Sequence, residues 1–242
     1  MNDISQQALR ELTPTGKLRA AINYGNAVLA QRDPQTGELS GVTIDFAHEI
    51  GRRLGVEVEL VPFSGAKGVT DSAGGNVWDV AFLAIDPVRG AGIDFTEPYV
   101  VIEGTYLVRQ DSPLTAVEQF DRPEVRIALA AGSAYDLYLS RALKQAQLVR
   151  SATLQTALAQ FEAEGLDAVA GVRQPLAAHA ASQPGLRVID GRFTEIRQAF
   201  GVPKGHAAAH AYVAALLESF KASPYIAETL RRHGQEATLV RG

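Results

Sequence analysis

Cysteine is absent from the 242 residues, which excludes disulfides and thiolate chemistry and fits any compartment. No stretch is long and apolar enough to span a bilayer. The opening residues, MNDISQQALRELTPTGK, contain no apolar core like that of a secretory signal. The chain is therefore read either as cytoplasmic or as one from which a signal has been removed and to which a new start has been added. Excess positive charge is missing too: the formal net charge is −4, which argues against a general nucleic-acid or membrane-surface binder. The sequence has no G-x-G-x-x-G, no G-x-x-x-x-G-K-[ST] and no G-x-S-x-G. His206 and His210 can share a helix face, but neither has the glutamate of an H-E-x-x-H arrangement, so neither a metal site nor a cofactor is expected.

What is present is an ordinary globular balance, with 46% hydrophobic and 21% charged residues, enough for one large or two small domains with a full core. The organising stretch is DVAFLAIDPVRGAGIDFTEPY, from Asp79 to Tyr99. It starts as an apolar strand, turns at Asp86-Pro87, presents Arg89 in a glycine-containing loop and resumes at Ile93. A charged side chain just past the end of an apolar strand stands where an open α/β sheet places its ligand contacts. Arginine suits that position because its planar fork grips a carboxylate through two parallel bonds. The plainer reading is a surface arginine in a turn.

Around this stretch the pattern alternates. A short helix is expected over 5–12, a strand over 17–23, a hairpin tip over 31–41, and an amphipathic helix from 43 to 54 closed by Gly55, with Asp45 as its cap. A strand over 56–61, a loop with a short helix over 63–75 and the strand over 79–85 complete a β-α-β-α-β series. After a strand at 105–109, Ser112-Pro113 marks a crossing into a second α/β unit. That unit has strands at 126–130, near Val149, at 166–172 and at 186–189, with helices over 135–143, 153–164 and 174–182. Residues 198–203 read as a strand returning to the first unit, followed by helices over 207–222 and 225–233. The expected division is 1–109 with 198–242 against 110–197. Two lobes joined by two hinge crossings would leave a ligand cleft between them.

Several segments together resemble the family-3 periplasmic solute-binding proteins, the polar amino-acid-binding components of ABC importers. They are GVTIDFAHEIGRRLGVEVELV, VWDVAFLAIDPVRGAGIDFTEPY, RIALAAGSAYDLYL and LDAVAGV, followed in order by a returning strand at QAFGVP. The resemblance covers roughly residues 15–235. It implies a type II periplasmic-binding fold whose two lobes close over a small organic acid or amino acid without performing chemistry. It also implies a periplasmic location, a permease partner and a monomer. Arg89 falls on the arginine that grips a ligand carboxylate, Ala84 where a threonine often assists it, and Ser133 on a residue of the second lobe near that carboxylate. Asn23, Tyr24 and Asn26 occupy a loop that supplies an aromatic or polar wall, and Phe63 and Ser64 another wall position.

The chain departs from that family where an aspartate commonly holds the ligand ammonium: the strand DAVAGV ends in Val172-Arg173. Arg173 either faces the cleft beside Arg89, favouring an anionic and even dicarboxylic ligand, or caps a loop toward solvent. Asp86 either lines the cleft or serves the turn before Pro87. Tyr24 and Phe63 are wall or core, and Tyr135 begins a helix whose backbone N–H groups can receive an anion. Trp78 reads as packing, Asp94 and Tyr99 as supports for the Arg89 loop, and Glu162 and Glu164 as a solvated face. Two other functions stay open: a dehydratase related to cyclohexadienyl dehydratase, which needs a general acid such as Asp86, and a binding or sensor protein without a signal.

Overall fold

The computed structural model describes residues 4–235. The chain divides into two compact units, Met1–Val101 with Arg197–Gly242, and Ile102–Ile196.

The first unit opens with α1 (Gln6–Leu12), capped by Ser5, whose side chain accepts from the Ala8 N–H. β1 (Leu18–Asn23) is buried along nearly its whole length. β2 (Gln31–Arg32) and β3 (Leu39–Ser40) form the small hairpin that the turn-rich composition predicts. α2 (Val42–Leu54) then buries one face through Ile44, Ala47, Ile50 and Leu54, and Gly55 closes it in the left-handed region at φ 70°. β4 (Val58–Phe63) lies two residues later than its alternation suggests and accommodates Pro62 because it is an edge strand. α3 (Ala66–Asp71) and the fully buried β5 (Val80–Ala84) follow.

Both β4 and β5 run parallel to β1. The carboxyl ends of the three strands therefore share one edge, where Asn23 is in register with Phe63. One face is packed by Trp78, Val69, Ala81, Leu83 and Ile93. Phe46, Phe82, Tyr99, Phe200 and Phe220 make a second, aromatic cluster with ring centroids 5.1–6.4 Å apart.

β6 (Ile93–Arg109) is one continuous strand, although the sequence around Pro98 suggests two pieces. The boundary between units falls inside it, at Val101/Ile102, rather than at 109/110, and the return boundary falls at Ile196/Arg197 inside β11. The second unit pairs the latter part of β6 with β9 and contains β7 (Arg126–Ala130), α4 (Ala134–Ala142), β8 (Gln147–Ser151), α5 (Leu154–Ala163), β9 (Ala168–Val172), α6 (Arg173–Ser182) and β10 (Leu186–Val188). β8 and β9 are both parallel to β7, so this unit also has a carboxyl edge shared by three strands. Its core gathers Leu107, Ala128, Phe161, Val169 and Leu176.

β11 (Thr194–Pro203) returns to pair antiparallel with β5. α7 (Ala207–Lys221) and α8 (Tyr225–Arg232) complete the first unit.

Asp45 is not the cap of α2. The helix begins at Val42 after Gly41, which sits at φ 131°. The Asp45 carboxylate lies in the first turn and instead accepts from Arg232 Nη1 at 2.6 Å and His233 Nε2 at 2.9 Å, tying α2 to the end of α8.

Candidate functional site

The carboxyl edge of β4, β1 and β5 brings together most of the residues singled out in the first unit. Tyr24 directly follows β1 and donates its N–H to the Phe63 carbonyl at 3.0 Å, which joins the two expected wall residues. Gly25 is required between them: a Cβ there would meet the Ser64 carbonyl oxygen well inside van der Waals contact. Asn26 starts a turn whose carbonyl accepts from Leu29 and Ala30, and its side-chain oxygen is buried with no hydrogen-bond partner among the described residues. Phe63 is half-buried against the Trp78 cluster, so it is part of the core as well as part of the edge. The ring of Tyr24 carries the guanidinium of Arg32 at 5.5 Å. These two residues help line an open pocket of ≈ 710 Å³, together with Asp33, Pro34 and Gly37 of the hairpin. Nothing in the sequence separates Arg32 from other hairpin charges, because the contact depends on how the hairpin folds back.

Beyond β5, Ala84 is buried and its carbonyl accepts from Arg89 Nη1 at 3.0 Å. Arg89 is only 1% exposed, so the plainer reading of a surface arginine does not hold. Burial pushes its guanidinium down to about 10, with Asp86 pulling the other way. It therefore stays charged at neutral pH in a setting that raises the value of any anion it meets. Asp86 is 6% exposed. Its carboxylate accepts from the Val88 N–H at 2.8 Å, as a turn aspartate does. Ile85 and Val88, in the same turn, are exposed apolar side chains at 41% and 56%. Asp94 accepts from the Gly205 N–H at 3.2 Å. Tyr99 is fully buried, and desolvation raises its hydroxyl pKa strongly. Asp94 thereby fastens the start of β6 to the loop after β11, while Tyr99 packs against Phe46 and Phe200. Trp78 packs, donating to the Val69 carbonyl and to Ser72 Oγ.

In the second unit Ser133 caps α4, accepting from the Asp136 N–H at 3.1 Å. Gly132 precedes it at φ +68° and gives its N–H to Asp136 Oδ2 at 2.8 Å. Asp136 is held in turn by Arg150 and Ser140. Tyr135 is buried and its hydroxyl is pushed up to about 12, mainly by desolvation, so it belongs to the packing of α4.

Arg173 opens α6 at the end of β9. Its fork is engaged within its own unit: Nε reaches Glu103 Oε2 at 2.5 Å, Nη1 the Ile189 carbonyl at 3.4 Å, and Nη2 the Gly191 carbonyl. Glu103 also accepts from Arg192 at 3.0 Å, and Arg192 pairs with Glu195 at 2.6 Å. Sequence reasoning missed this cluster, since Glu103 is remote from Arg173 in the chain. The structure thus gives Arg173 an ionic, loop-fastening role within its own unit.

Among the described residues no group of three or more His, Cys, Asp or Glu is placed to hold a metal ion. His206 and His210 instead meet the carbonyls of Pro203 and Phe95. Glu162 faces His179 at 3.6 Å, and Glu164 accepts from Gln160.

Comparison with known proteins gives one picture. The model for bacterial extracellular solute-binding proteins, family 3, matches residues 18–236. The glutamine-binding protein of Geobacillus stearothermophilus is 22% identical over 200 residues, covering 81% of this chain and 76% of that one. Among solved structures, a mutant of ArgBP from T. maritima superposes with a TM-score of 0.80 at 23% identity, over 93% of this chain and 98% of that one. An ancestral amino acid-binding protein, described as a precursor of cyclohexadienyl dehydratase, gives 0.78 at 24%, over the same shares of 93% and 98%. The L-arginine-bound AbpA of Streptococcus pneumoniae gives 0.79 at 20%, over 95% and 99%. These structural likenesses establish the fold, that of the type II periplasmic-binding proteins, and the family match over nearly the whole chain completes the identification. The chain belongs to family 3 of the bacterial extracellular solute-binding proteins.

Proposed function

We propose that the protein captures a small carboxylate-bearing solute, with Arg89 as its principal anchor, for delivery to the permease of an ABC importer. The observation that carries this reading is a guanidinium withdrawn from water at the carboxyl end of a parallel strand. That is where α/β sheets concentrate ligand contacts, and a buried charge of this kind gains most from a bidentate anion. Tyr24 and Asn26, which follow β1 beside β5, and Phe63, at the end of β4 beyond it, are proposed as walls on the same carboxyl edge. Ser133, at the corresponding edge of the second unit, is the residue proposed to meet the same carboxylate. Enclosure of the solute by both units, action as a monomer and an extracytoplasmic location belong to this reading, which draws on the family and on relatives named for binding glutamine and arginine.

A dehydratase would need a general acid at the same place. Asp86 is the nearest carboxylate, and its engagement with the Val88 N–H favours binding over catalysis.

The test is a thermal-shift screen of amino acids, dicarboxylates and aromatic acids against the wild type and Arg89→Ala. A bound acid raises Tm with concentration through mass action, and the rise is expected to vanish in the variant. Absence of any acid-dependent rise, or a rise preserved in Arg89→Ala, contradicts the reading.

A further inference from the structure

The chain passes between the units twice, at Val101/Ile102 in β6 and at Ile196/Arg197 in β11. These two strands are neighbours in the sheet. Just inside the second unit, three successive residues of β6 hold the approach to β11. Glu103 accepts from Arg192 Nη1 at 3.0 Å, the Gly104 carbonyl accepts from the Phe193 N–H at 3.0 Å, and Thr105 Oγ1 donates to the Gly191 carbonyl at 3.1 Å. A Cβ on Gly104 would lie 2.7 Å from the Phe193 ring, so glycine is what admits this approach. Arg192 also reaches Glu195, the second-last residue before the return passage, and Arg173 adds bonds to Glu103 and the Gly191 carbonyl.

Inside the first unit the grip begins as abruptly. The carbonyl of Arg197, the first residue after the return passage, accepts from the Ile85 N–H at 2.9 Å, and Gln198 is in register with Ala84 of β5. Phe200 gives its N–H to Thr96 Oγ1 at 3.1 Å, and its ring packs against Tyr99. Between the two grips lie Val100, Val101 and Ile102 of β6 and Ile196 of β11, whose apolar side chains add no directional bond. Arg197 and Glu97 stand 3.9 Å apart and are both exposed, too loose a pair to restrain this stretch. Ile85 is also the first residue of the turn that carries Arg89, so the return passage is tied directly to the anchor segment.

We infer that Glu103 and Arg192 are positioning residues that clamp the two passages into one stiff piece with the second unit, so that movement between the units is confined to residues 100–102 and Ile196. A few residues that absorb the change in backbone angles are all such a movement needs. The inference rests on the proposed enclosure of the solute by both units and names the residues that set how freely that enclosure opens. Arg192 is central because a single fork holds Glu103 of one passage and Glu195 of the other. The clamp is ionic and part-exposed, with 36% of the Glu103 side chain and 48% of the Arg192 side chain open to water, so salt weakens it. Without it the unliganded chain samples a wider range of forms.

The absence of cysteine lets two spin labels be placed uniquely, through Ala215→Cys on α7 and Ala159→Cys on α5, both at exposed positions. The distribution of distances between them is read by pulsed electron resonance on the full chain without solute, so the outcome is independent of Arg89. In low salt the doubly labelled chain is expected to give one narrow peak. Glu103→Gln and Arg192→Gln are each expected to raise the population outside that peak about two- to five-fold, the effect of losing surface ion pairs. Sodium chloride at about 1 M is expected to do the same to the chain with its clamp intact, an arm that needs no substitution there. Lys17→Gln, which breaks the exposed pair with Glu57, is the control expected to change nothing. A distribution that stays narrow in both variants and in high salt, that is broad before any substitution, or that widens equally in Lys17→Gln overturns the inference and leaves the carboxylate reading standing.

Discussion

Arg89 and Arg173 occupy equivalent places in their two units, each just past the carboxyl end of a parallel strand, and they end in opposite circumstances. Arg89 is 1% exposed, and its Nη1 donates to the Ala84 carbonyl, five residues back at the end of β5. The side chain of Arg173 keeps 31% of its exposure and is engaged by Glu103 and two loop carbonyls. Position at a strand end therefore does not by itself decide how an arginine is housed. What distinguishes the two is burial, nearly complete for Arg89 and partial for Arg173. Arg19 supplies a third case: a buried arginine with a full set of partners, meeting both oxygens of Asp79 and two acceptors on Asn76.

The comparison can be broken most sharply at the structural pair. Asp79→Ala leaves Arg19, 8% exposed, without its carboxylate. Breaking a buried pair from one side costs about 3 kcal/mol or more, so a fall of several degrees in Tm is expected, with solute affinity per folded molecule unchanged. A parallel loss of affinity would show that Arg19 and Arg89 are not separable in role. Next comes Arg89→Ala. Removing a charged hydrogen-bonding group from a buried site costs about 1.5–3 kcal/mol, so binding of the acid is expected to weaken about ten- to hundred-fold, read by titration. Arg173→Ala is expected to do the converse. Its pair is part-exposed, so loss of stability should stay within about 1 kcal/mol, should shrink further in high salt, and should leave the dissociation constant within a few-fold of wild type.

The smallest effect concerns acid stability. Burial tends to raise the Glu103 carboxyl, but hydrogen bonds from Arg173 and Arg192 outweigh it, and the group lies below its ordinary value of 4.5. A folded-state pKa below the unfolded one means that its contribution is fully present above about pH 4.5 and is lost as pH falls through the lower folded value. Glu103→Gln should therefore flatten the acid limb of the Tm-against-pH curve and leave the neutral region nearly unchanged apart from the lost ion pairs. An unchanged acid limb would remove Glu103 from the set of groups that sustain the second unit.

Local chemistry explains what the sequence discloses. β1, β5 and β7 are short, mostly apolar runs between turn residues, α5 starts at a Thr153 cap and α7 stops before a Ser-Pro break, so their limits are legible within a residue or two. β6 is not, because Pro98 imitates a strand end and only pairing along the sheet shows that the strand continues. Asp45 misleads for a similar reason: its position fits a cap, but its partners, Arg232 and His233, are reached only once α8 has docked. The place of Arg89 after an apolar strand is legible from the strand-turn pattern, but its burial is not, because that depends on how the turn packs. The engagement of Arg173 is invisible because Glu103 and Gly191 are brought to it by tertiary packing.

The most direct test is the dissociation constant of the best-stabilising acid for wild-type protein and for folded Arg89→Ala, measured by calorimetric titration at neutral pH. An increase of at least about ten-fold, a loss of about 1.4 kcal/mol, is the expected result. A dissociation constant unchanged in the variant would contradict the assignment of Arg89 as the solute anchor.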